Sequence, residues 1–238
     1  FSVGIATETD DAVIYYTLDG SEPGKVNGQF YTGTLYTGAI PIDKTTCLRA
    51  KAVKTGWKPS NADAQTYIFL DNVLAQPAYP SGFPTFWNGT HSDYEMDPAI
   101  LNDSRYRNRM ESSLLSLPVI SITTEIDNLF DSDTGIYANP TNRGIAWEKP
   151  ASVEYFDSSG AEQFQINCGL RIQGGWFRPL SNCRKKSFRL LFKGIYGPTK
   201  LDFPIFGDEG VDSFDTITLR AGANDGYFPT HVSSPPCW

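Results

Sequence analysis

The sequence is short of the residues that most often build metal centres and nucleophile sites. Only two histidines, His91 and His231, occur among its 238 residues, and none of its four cysteines belongs to a CxxC pair. A structural zinc site is therefore not expected, because such a site needs closely spaced Cys and His ligands. The chain also lacks a GxSxG motif, which argues against a serine hydrolase of the α/β-hydrolase type.

Long apolar runs and a surplus of positive charge are absent too. No stretch approaches the roughly 20 apolar residues that cross a bilayer, so no membrane span is expected. The net charge of -7 and the pI near 4.8 argue against nucleic acid or an anionic membrane surface as a partner. Aromatic residues make up 13% of the chain, which also contains 21 Gly and 16 Pro. This composition is typical of short strands joined by tight turns, so we expect a mainly β protein.

The four cysteines leave two alternatives open. Cys168 and Cys183 bracket a pair of glycines at the separation expected for the two strands of a hairpin. They can form a disulfide in an exported protein, or they can be free buried thiols. The sequence does not decide between these states, and it leaves the pairing of Cys47 and Cys237 open as well.

The first 70 residues have the pattern of successive short strands. Apolar and polar residues alternate in the segment TTCLRAKA at 45–52, which is typical of a sheet with one face in water. This segment and VIYYTLDGSEP at 13–23 resemble the chitobiase/β-hexosaminidase C-terminal type of immunoglobulin-like module. The resemblance implies an Ig-like β-sandwich over residues 1–72. It also implies an extracellular or cell-surface bacterial protein, because such modules accompany secreted carbohydrate-active proteins.

A glycine turn and a basic cluster lie between two strand-like runs in residues 167–192. Gly174 and Gly175 permit positive φ and close approach of the backbone to a ligand. Five cations follow in the turn and the second run: Arg178, Arg184, Lys185, Lys186 and Arg189. Guanidinium and ammonium groups suit phosphate or carboxylate, so the hairpin is a candidate anion site. The alternative is a solvated strand edge whose cations prevent edge-to-edge pairing.

The residues beyond the module contain a series of blocks that resemble the CotH kinase family, in the order found there. The blocks are DYEMDP at 93–98, LPVISITTEIDNLFDSDTGIY at 117–137, WEKPASVEYFD at 147–157, GLRIQGG at 169–175, KKSFRLLFK at 185–193, YGPTKLDFPIFGD at 196–208 and FDTITLRAGANDGY at 214–227. The resemblance implies a β-rich α+β domain at 73–238 that is kinase-like and incomplete at its C-terminus. Because the chain opens directly on a strand-like run, we expect a piece of a longer protein.

The same resemblance implies a nucleotide site, with ATP and Mg²⁺ or Mn²⁺ as cofactors. The phosphate-side residues that it indicates are Arg171, Gly174, Gly175, Arg178, Lys185 and Lys186, with Lys185 as the first choice. Trp176 and Phe177 depart from the family, which usually has small polar residues in this turn. The acidic catalytic motifs of the family lie downstream of the LRAGxND block, and the likeness ends at Pro229. We therefore expect an atypical kinase only when the chain is completed, and no phosphotransfer from this chain alone.

Two sets of polar residues raise the question of a metal site. Asn224 and Asp225 follow the end of a predicted strand, where they can bind a metal or cap a turn. Asp127, Asp131 and Asp133 share one turn but lack the DxDxDG spacing of a calcium loop, so a solvated turn is the alternative.

A carbohydrate function is the alternative to the nucleotide site. Four tryptophans can offer aromatic faces to a polysaccharide or can be core residues: Trp57, Trp87, Trp147 and Trp176. A glycoside hydrolase would need paired carboxylates, for which the pairs considered are Glu95 with Asp97 and Glu148 with Glu154. The expected partners are thus a nucleotide or a cell-surface protein substrate in the first case, and a polysaccharide in the second.

Overall fold

The computed structural model describes residues 1–26, 30–87 and 89–221. In the described part of the chain strands account for 31% and helices for 12%, which confirms the predicted mainly β class. Within the described residues no helix combines the length and the apolar character needed to span a membrane. Cys47 and Cys168 are free thiols, Cys183 is buried, and Cys237 lies outside the described residues.

The secondary structure consists of short strands and even shorter helices. The strands are β1 (Ser2–Val3), β2 (Val13–Thr17), β3 (Lys25–Val26), β4 (Phe30–Tyr31), β5 (Thr34–Leu35), β6 (Ile40–Pro41), β7 (Thr46–Val53), β8 (Asp63–Tyr67), β9 (Phe86–Trp87), β10 (Thr90–His91), β11 (Val119–Thr123), β12 (Lys149–Phe156), β13 (Glu162–Gln173), β14 (Ser187–Leu191), β15 (Leu201–Asp202), β16 (Ser213–Phe214) and β17 (Thr216–Leu219). The α-helices are α1 (Leu70–Leu74), α2 (Pro98–Leu101), α3 (Met110–Leu115) and α4 (Ile126–Phe130), with 3₁₀ turns at Arg107–Arg109 and Ile145–Trp147.

The described chain divides into two units. The first contains Phe1–Thr85, His91–Glu125 and Ser152–Gln165, and the second contains Phe86–Thr90, Ile126–Ala151 and the residues from Ile166 onward. The predicted boundary between domains at 1–72 and 73–238 stays a prediction.

The N-terminal segment of the first unit forms a four-stranded antiparallel sheet of order β5-β2-β7-β8. Its core is built by Ile40, Ile42 and Leu48, against which Tyr16, Tyr36 and other half-buried apolar side chains pack. These tyrosines therefore serve the core. Gly33 lies at the start of β5 with φ +98°, and a Cβ there would meet the carbonyl oxygen of Tyr16 at 2.7 Å, so the turn requires glycine.

Strands of the later region belong to a five-stranded sheet of order β11-β12-β13-β14-β17. In the first unit β11 pairs antiparallel with Ser152–Phe156 of β12, which confirms the strand predicted at 119–123. The turn at 157–161 joins β12 to β13 as predicted. Asp157 Oδ1 accepts a hydrogen bond from the N–H of Ser159, and Gly160 has φ +80°. In the second unit Gly169–Gln173 of β13 pairs with β14, and β14 pairs with β17.

A buried polar network joins the strands β7 and β8 to β11 and β12 within the first unit. The Glu154 carboxylate on β12 accepts hydrogen bonds from the N–H of Thr66 at 2.6 Å and from its hydroxyl. The Thr66 hydroxyl also lies 2.8 Å from that of Ser121, and Cys47 Sγ lies 2.9 Å from the hydroxyl of Thr123. Burial raises the pKa of Glu154 above its ordinary value, although the hydrogen bonds from Thr66 favour the ionised form.

Candidate functional site

A cavity of about 190 Å³ opens in the second unit and is lined by four arginines. The arginines come from three segments: Arg143 precedes a 3₁₀ turn, Arg171 and Arg189 belong to β13 and β14, and Arg178 lies in the loop between these strands. The other lining residues are Ile136, Asn142, Gly144, Trp147, Ile172 and Gln173. None of the ten lining residues carries a negative charge, so the cavity is suited to an anion.

Strand register places two of the arginines side by side. Arg171 and Arg189 are direct partners in the antiparallel pairing of β13 with β14. Direct partners extend from the same face of a sheet with their Cβ atoms about 4.5–5.5 Å apart, so the two guanidinium groups share one wall. Two like charges in these positions repel each other, and an anion between them removes that repulsion.

Glu148 fixes one side of the Arg171 guanidinium. The Glu148 side chain is 0% exposed, and its Oε2 lies 2.5 Å from Arg171 Nη2. Lys193 Nζ donates to both carboxylate oxygens, at 2.8 and 2.7 Å, and the Tyr196 hydroxyl donates to Oε1 at 3.0 Å. The carboxylate therefore has every oxygen engaged, and Arg171 is held in one orientation.

The electrostatics of this cluster follow from its burial and its charges. Burial opposes ionisation of Glu148, but the hydrogen bonds from Lys193 and Tyr196 and the charge of Arg171 hold its pKa below its ordinary value. Burial, with the nearby Glu148 carboxylate, raises the pKa of Tyr196 to about 12. The same two causes raise the pKa of Cys168 to about 12, so this thiol is neutral at physiological pH.

Arg171 retains one donor without a hydrogen-bond partner in the described part of the chain. This donor is its buried Nε. A buried guanidinium N–H without a partner is costly. Arg171 therefore combines a fixed ion pair with one donor that the described chain leaves unsatisfied.

Arg178 is bound to backbone carbonyls, and its predicted role at a phosphate stays a prediction. Its guanidinium donates to the backbone carbonyl oxygens of Gly174 at 2.7 Å, Pro140 at 2.8 Å and Asn142 at 2.9 Å, and also to that of Ile172. Burial, together with the charge of Arg143, lowers the pKa of Arg178. Arg178 thus ties the β13–β14 loop to the segment 140–142, and it contributes charge to the cavity wall from this fixed position.

The two predicted lysines lie in contrasting environments. Lys186 is 4% exposed, and its ammonium group donates to the carbonyl oxygens of Phe177, Pro179 and Cys183. Its three N–H groups are occupied by the loop itself. Lys185 is exposed and does not belong to the ten residues that line the cavity. Its predicted role at a phosphate stays a prediction.

The glycine turn adjoins the cavity. Gly174 has φ +100°, and a Cβ on Gly175 would lie 4.0 Å from Arg143 Nη2. Of the six predicted phosphate-side residues, the structure brings Arg171 and Arg178 to the cavity wall. Reasoning from the sequence missed Arg143, which lies 28 residues before Arg171, in a loop without periodicity that could have indicated its position.

The predicted metal ligands Asn224 and Asp225 lie outside the described residues. Within the described ranges no group of three or more His, Cys, Asp or Glu side chains is placed to hold a metal ion. Asp131 uses Oδ1 to accept hydrogen bonds from the N–H groups of Asp133 and Thr134 and from the Thr134 hydroxyl. These contacts are those of a self-capped turn.

The four tryptophans have distinct surroundings. Trp57 is 66% exposed in the loop between β7 and β8, and Lys54 Nζ lies 5.4 Å from its ring centroid. Trp87 packs against Phe130 and Tyr137, and Trp147 lines the arginine cavity. Trp176 is 77% exposed. Exposed indole rings are therefore available at Trp57 and Trp176.

Three of the four carboxylates considered for glycoside hydrolysis, Asp97, Glu148 and Glu154, are engaged in other contacts. Glu148 is saturated by Arg171, Lys193 and Tyr196, and Glu154 is buried against Thr66. Asp97 accepts a hydrogen bond from the N–H of Ala99 at the start of α2. The hydrolase alternative stays a prediction.

Comparison with known proteins identifies one segment. Residues 2–64 match the family model of the chitobiase/beta-hexosaminidase C-terminal domain, which confirms the resemblance inferred for the N-terminal module. No curated protein and no solved structure matches the chain. The resemblance of the later blocks to the CotH kinase family stays a prediction.

Proposed function

We propose that the arginine cavity binds the phosphate groups of a nucleotide, and that residues 73–238 are the nucleotide-phosphate-binding half of a CotH-like, kinase-like domain. The observation that carries the proposal is the convergence of Arg143, Arg171, Arg178 and Arg189 on one cavity without a lining carboxylate. Planar guanidinium groups match the oxygen geometry of phosphate and remain charged at all physiological pH values.

The residues present fit phosphate better than they fit a metal. The cavity wall supplies four guanidinium groups, whereas none of its described lining residues offers a carboxylate to Mg²⁺ or Mn²⁺. In a kinase such an ion neutralises charge on the β- and γ-phosphates. We propose that here Arg143, Arg171 and Arg189 do this neutralisation, and that the chain binds nucleotide without transferring phosphate by itself.

The location and the partners proposed follow from the N-terminal module. The match of one segment to a chitobiase/beta-hexosaminidase C-terminal domain supports a carbohydrate-rich, extracellular or cell-surface location for the protein. A cell-surface protein would then be the phosphate acceptor of the completed kinase-like domain, and we propose a bacterial source on the same resemblance.

The test is thermal unfolding with ATP and with inorganic tripolyphosphate at fixed ionic strength. A ligand that binds only the folded state stabilises it by about 2.7 kcal/mol at a hundredfold excess over Kd. Arg143→Ala should reduce the shift. Arg107→Ala removes an exposed arginine from the first unit and should leave the shift unchanged. If neither ATP nor tripolyphosphate raises the unfolding temperature of the wild-type protein, the proposed site is excluded.

A second candidate function rests on Trp57, in the module that matches the carbohydrate-related family. The N–H of Trp57 donates to the Lys54 carbonyl at 3.0 Å, and the Lys54 ammonium contacts the ring, so an exposed indole is held in a fixed place. Such a ring can stack on a sugar. Retention of the protein on a polysaccharide, lost in Trp57→Ala, would support glycan binding, and failure of the wild-type protein to be retained on any polysaccharide would exclude it.

A further inference from the structure

Two of the most exposed apolar side chains in the second unit belong to segments that line the arginine cavity. Trp176 is 77% exposed, and it lies between Gln173 and Arg178, which both line the cavity. Ile145 is 68% exposed, and it lies between Gly144 and Trp147, which line the cavity too. Both exposed side chains are thus carried by segments that line the cavity, and a Cβ on Gly175, the residue before Trp176, would lie 4.0 Å from Arg143 Nη2.

The backbone that carries Trp176 is held firmly. Asn182 Nδ2 donates to the Trp176 carbonyl oxygen at 2.6 Å, and Lys186 Nζ donates to that of Phe177 at 3.2 Å. Arg178 donates through Nε to the carbonyl of Gly174 at 2.7 Å and through its backbone N–H to that of Gly175 at 3.2 Å. The loop is thus fixed on both sides of Trp176, while the indole itself extends into solvent.

The size of the cavity indicates why a ligand would extend beyond it. Its volume of about 190 Å³ is below the range of roughly 300–1,000 Å³ that is usual for pockets enclosing a whole organic ligand. The cavity accommodates the charged groups of a nucleotide, and the base must then lie outside the arginine wall. An exposed and fixed indole beside that wall offers a surface on which a base can stack.

We propose that the exposed indole of Trp176 is the surface on which the base of a nucleotide stacks while its phosphates occupy the arginine cavity. The inference rests on the proposed phosphate site and assigns Trp176 as the residue that distinguishes a nucleotide from a bare phosphate chain. The turn with Trp176 and Phe177, unusual for a CotH-like protein, would thereby serve recognition of the ligand.

The experiment is a calorimetric titration of the full chain with ATP, with inorganic tripolyphosphate and with glucose 6-phosphate. Stacking of one base on an aromatic side chain corresponds to roughly a five- to 150-fold change in affinity. We expect Trp176→Ala to lower the affinity for ATP by that factor and to leave the affinity for tripolyphosphate unchanged. Trp176→Phe should retain most of the wild-type affinity for ATP. Trp57→Ala is the matched control, since it removes another exposed indole, and it should alter neither affinity.

The outcomes separate this inference from the proposed function. Equal weakening of ATP and tripolyphosphate in Trp176→Ala would show that the residue only maintains the loop, and would overturn the inference. Unchanged ATP affinity would overturn it as well, while the phosphate site would stand. If Trp176→Ala lowers the affinity for glucose 6-phosphate as much as the affinity for ATP, the indole contacts the sugar and not the base, which would overturn the inference. If the wild-type protein binds neither ATP nor tripolyphosphate, the proposed function itself fails.

Discussion

Arg171 and Arg189 lie directly opposite each other on β13 and β14, and both line the same cavity. Like charges in this position oppose folding. Glu148 compensates Arg171, but it is shared with Lys193. The arginine wall thus combines affinity for an anion with a cost to stability, a combination common at functional sites.

Arg189→Gln should stabilise the protein in buffer free of polyvalent anions. Removing one of two directly opposed cations relieves repulsion of about 0.2–1 kcal/mol, and Arg189 is an exposed side chain whose removal leaves no buried partner. The same variant should show a smaller thermal shift with tripolyphosphate than the wild-type protein. Urea unfolding with and without the ligand measures both effects, and a loss of stability without ligand would contradict the expectation.

Glu148→Gln should destabilise the protein by about 3 kcal/mol, because it leaves the cations of Arg171 and Lys193 without their buried counter-ion. The folded pKa of Glu148 is below its ordinary value of 4.5. Its stabilising contribution is therefore complete above that pH and is lost as the pH falls through the folded pKa. Urea unfolding at pH 7 and at acidic pH measures both effects.

Lys200→Ala is the control for this variant, because it breaks the exposed pair of Lys200 with Asp215. Such a surface pair contributes about 0–1 kcal/mol. Equal effects of the two substitutions at pH 7 would show that burial of Glu148 adds nothing to the value of its ion pairs.

Glu154→Gln should have the opposite pH signature. Burial raises the folded pKa of Glu154 above its ordinary value of 4.5, so stability associated with this carboxyl is complete below that pH and is lost as the pH rises through the folded pKa. The glutamine side chain stays neutral and can still accept a hydrogen bond from the N–H of Thr66. Because the wild-type carboxyl ionises as the pH rises, the variant should become more stable relative to the wild-type protein. Glu111→Gln removes one exposed negative charge and serves as the control in urea unfolding at pH 4 and pH 8.

Gly169→Ala should destabilise the cluster behind Arg171. A Cβ on Gly169 would meet Tyr196 Cε2 at 2.7 Å and Glu148 Cγ at 2.8 Å, and forced overpacking of this kind costs about 1–3 kcal/mol. Gly38→Ala is the matched control. A Cβ there meets nothing within 4 Å, so its effect should stay within about 0.5 kcal/mol. A comparable loss of stability in both variants, measured by chemical unfolding, would contradict the close packing at Gly169.

Local sequence predicted much of the fold, because the strands depend on local pattern. The β-branched run at Val119–Thr123 and the turn residues at 157–160 carry their own preferences for strand and turn. Both appear in the structure where the pattern placed them. The N-terminal module was equally accessible, since residues 2–64 carry a recognisable family pattern.

The cavity could be predicted only in part, because the sequence gives the positions of the charged residues but not the groups that each charged side chain contacts. Lys186 and Arg178 follow the glycine turn in the sequence, a position that favours a role as phosphate ligands. In the fold, the Lys186 ammonium and the Arg178 guanidinium donate to backbone carbonyl oxygens. Glu148 is considered from the sequence as one of a pair of carboxylates, and its burial and its contacts with Lys193 and Tyr196 were not predicted, because these partners are more than 40 residues away in the chain. Contacts of this range depend on tertiary structure.

The contact between Thr66 and Glu154 has a consequence for any attempt to transplant the N-terminal module. The family pattern stops at residue 64, two residues short of the side chain that satisfies the buried Glu154 carboxylate. A fragment cut at that boundary lacks residues 65–67 of β8, so Thr66 stays with the remaining chain and is separated from Cys47, its pairing partner on β7. The segment that matches the family model is thus shorter than the segment that would have to be transplanted to keep β8 whole.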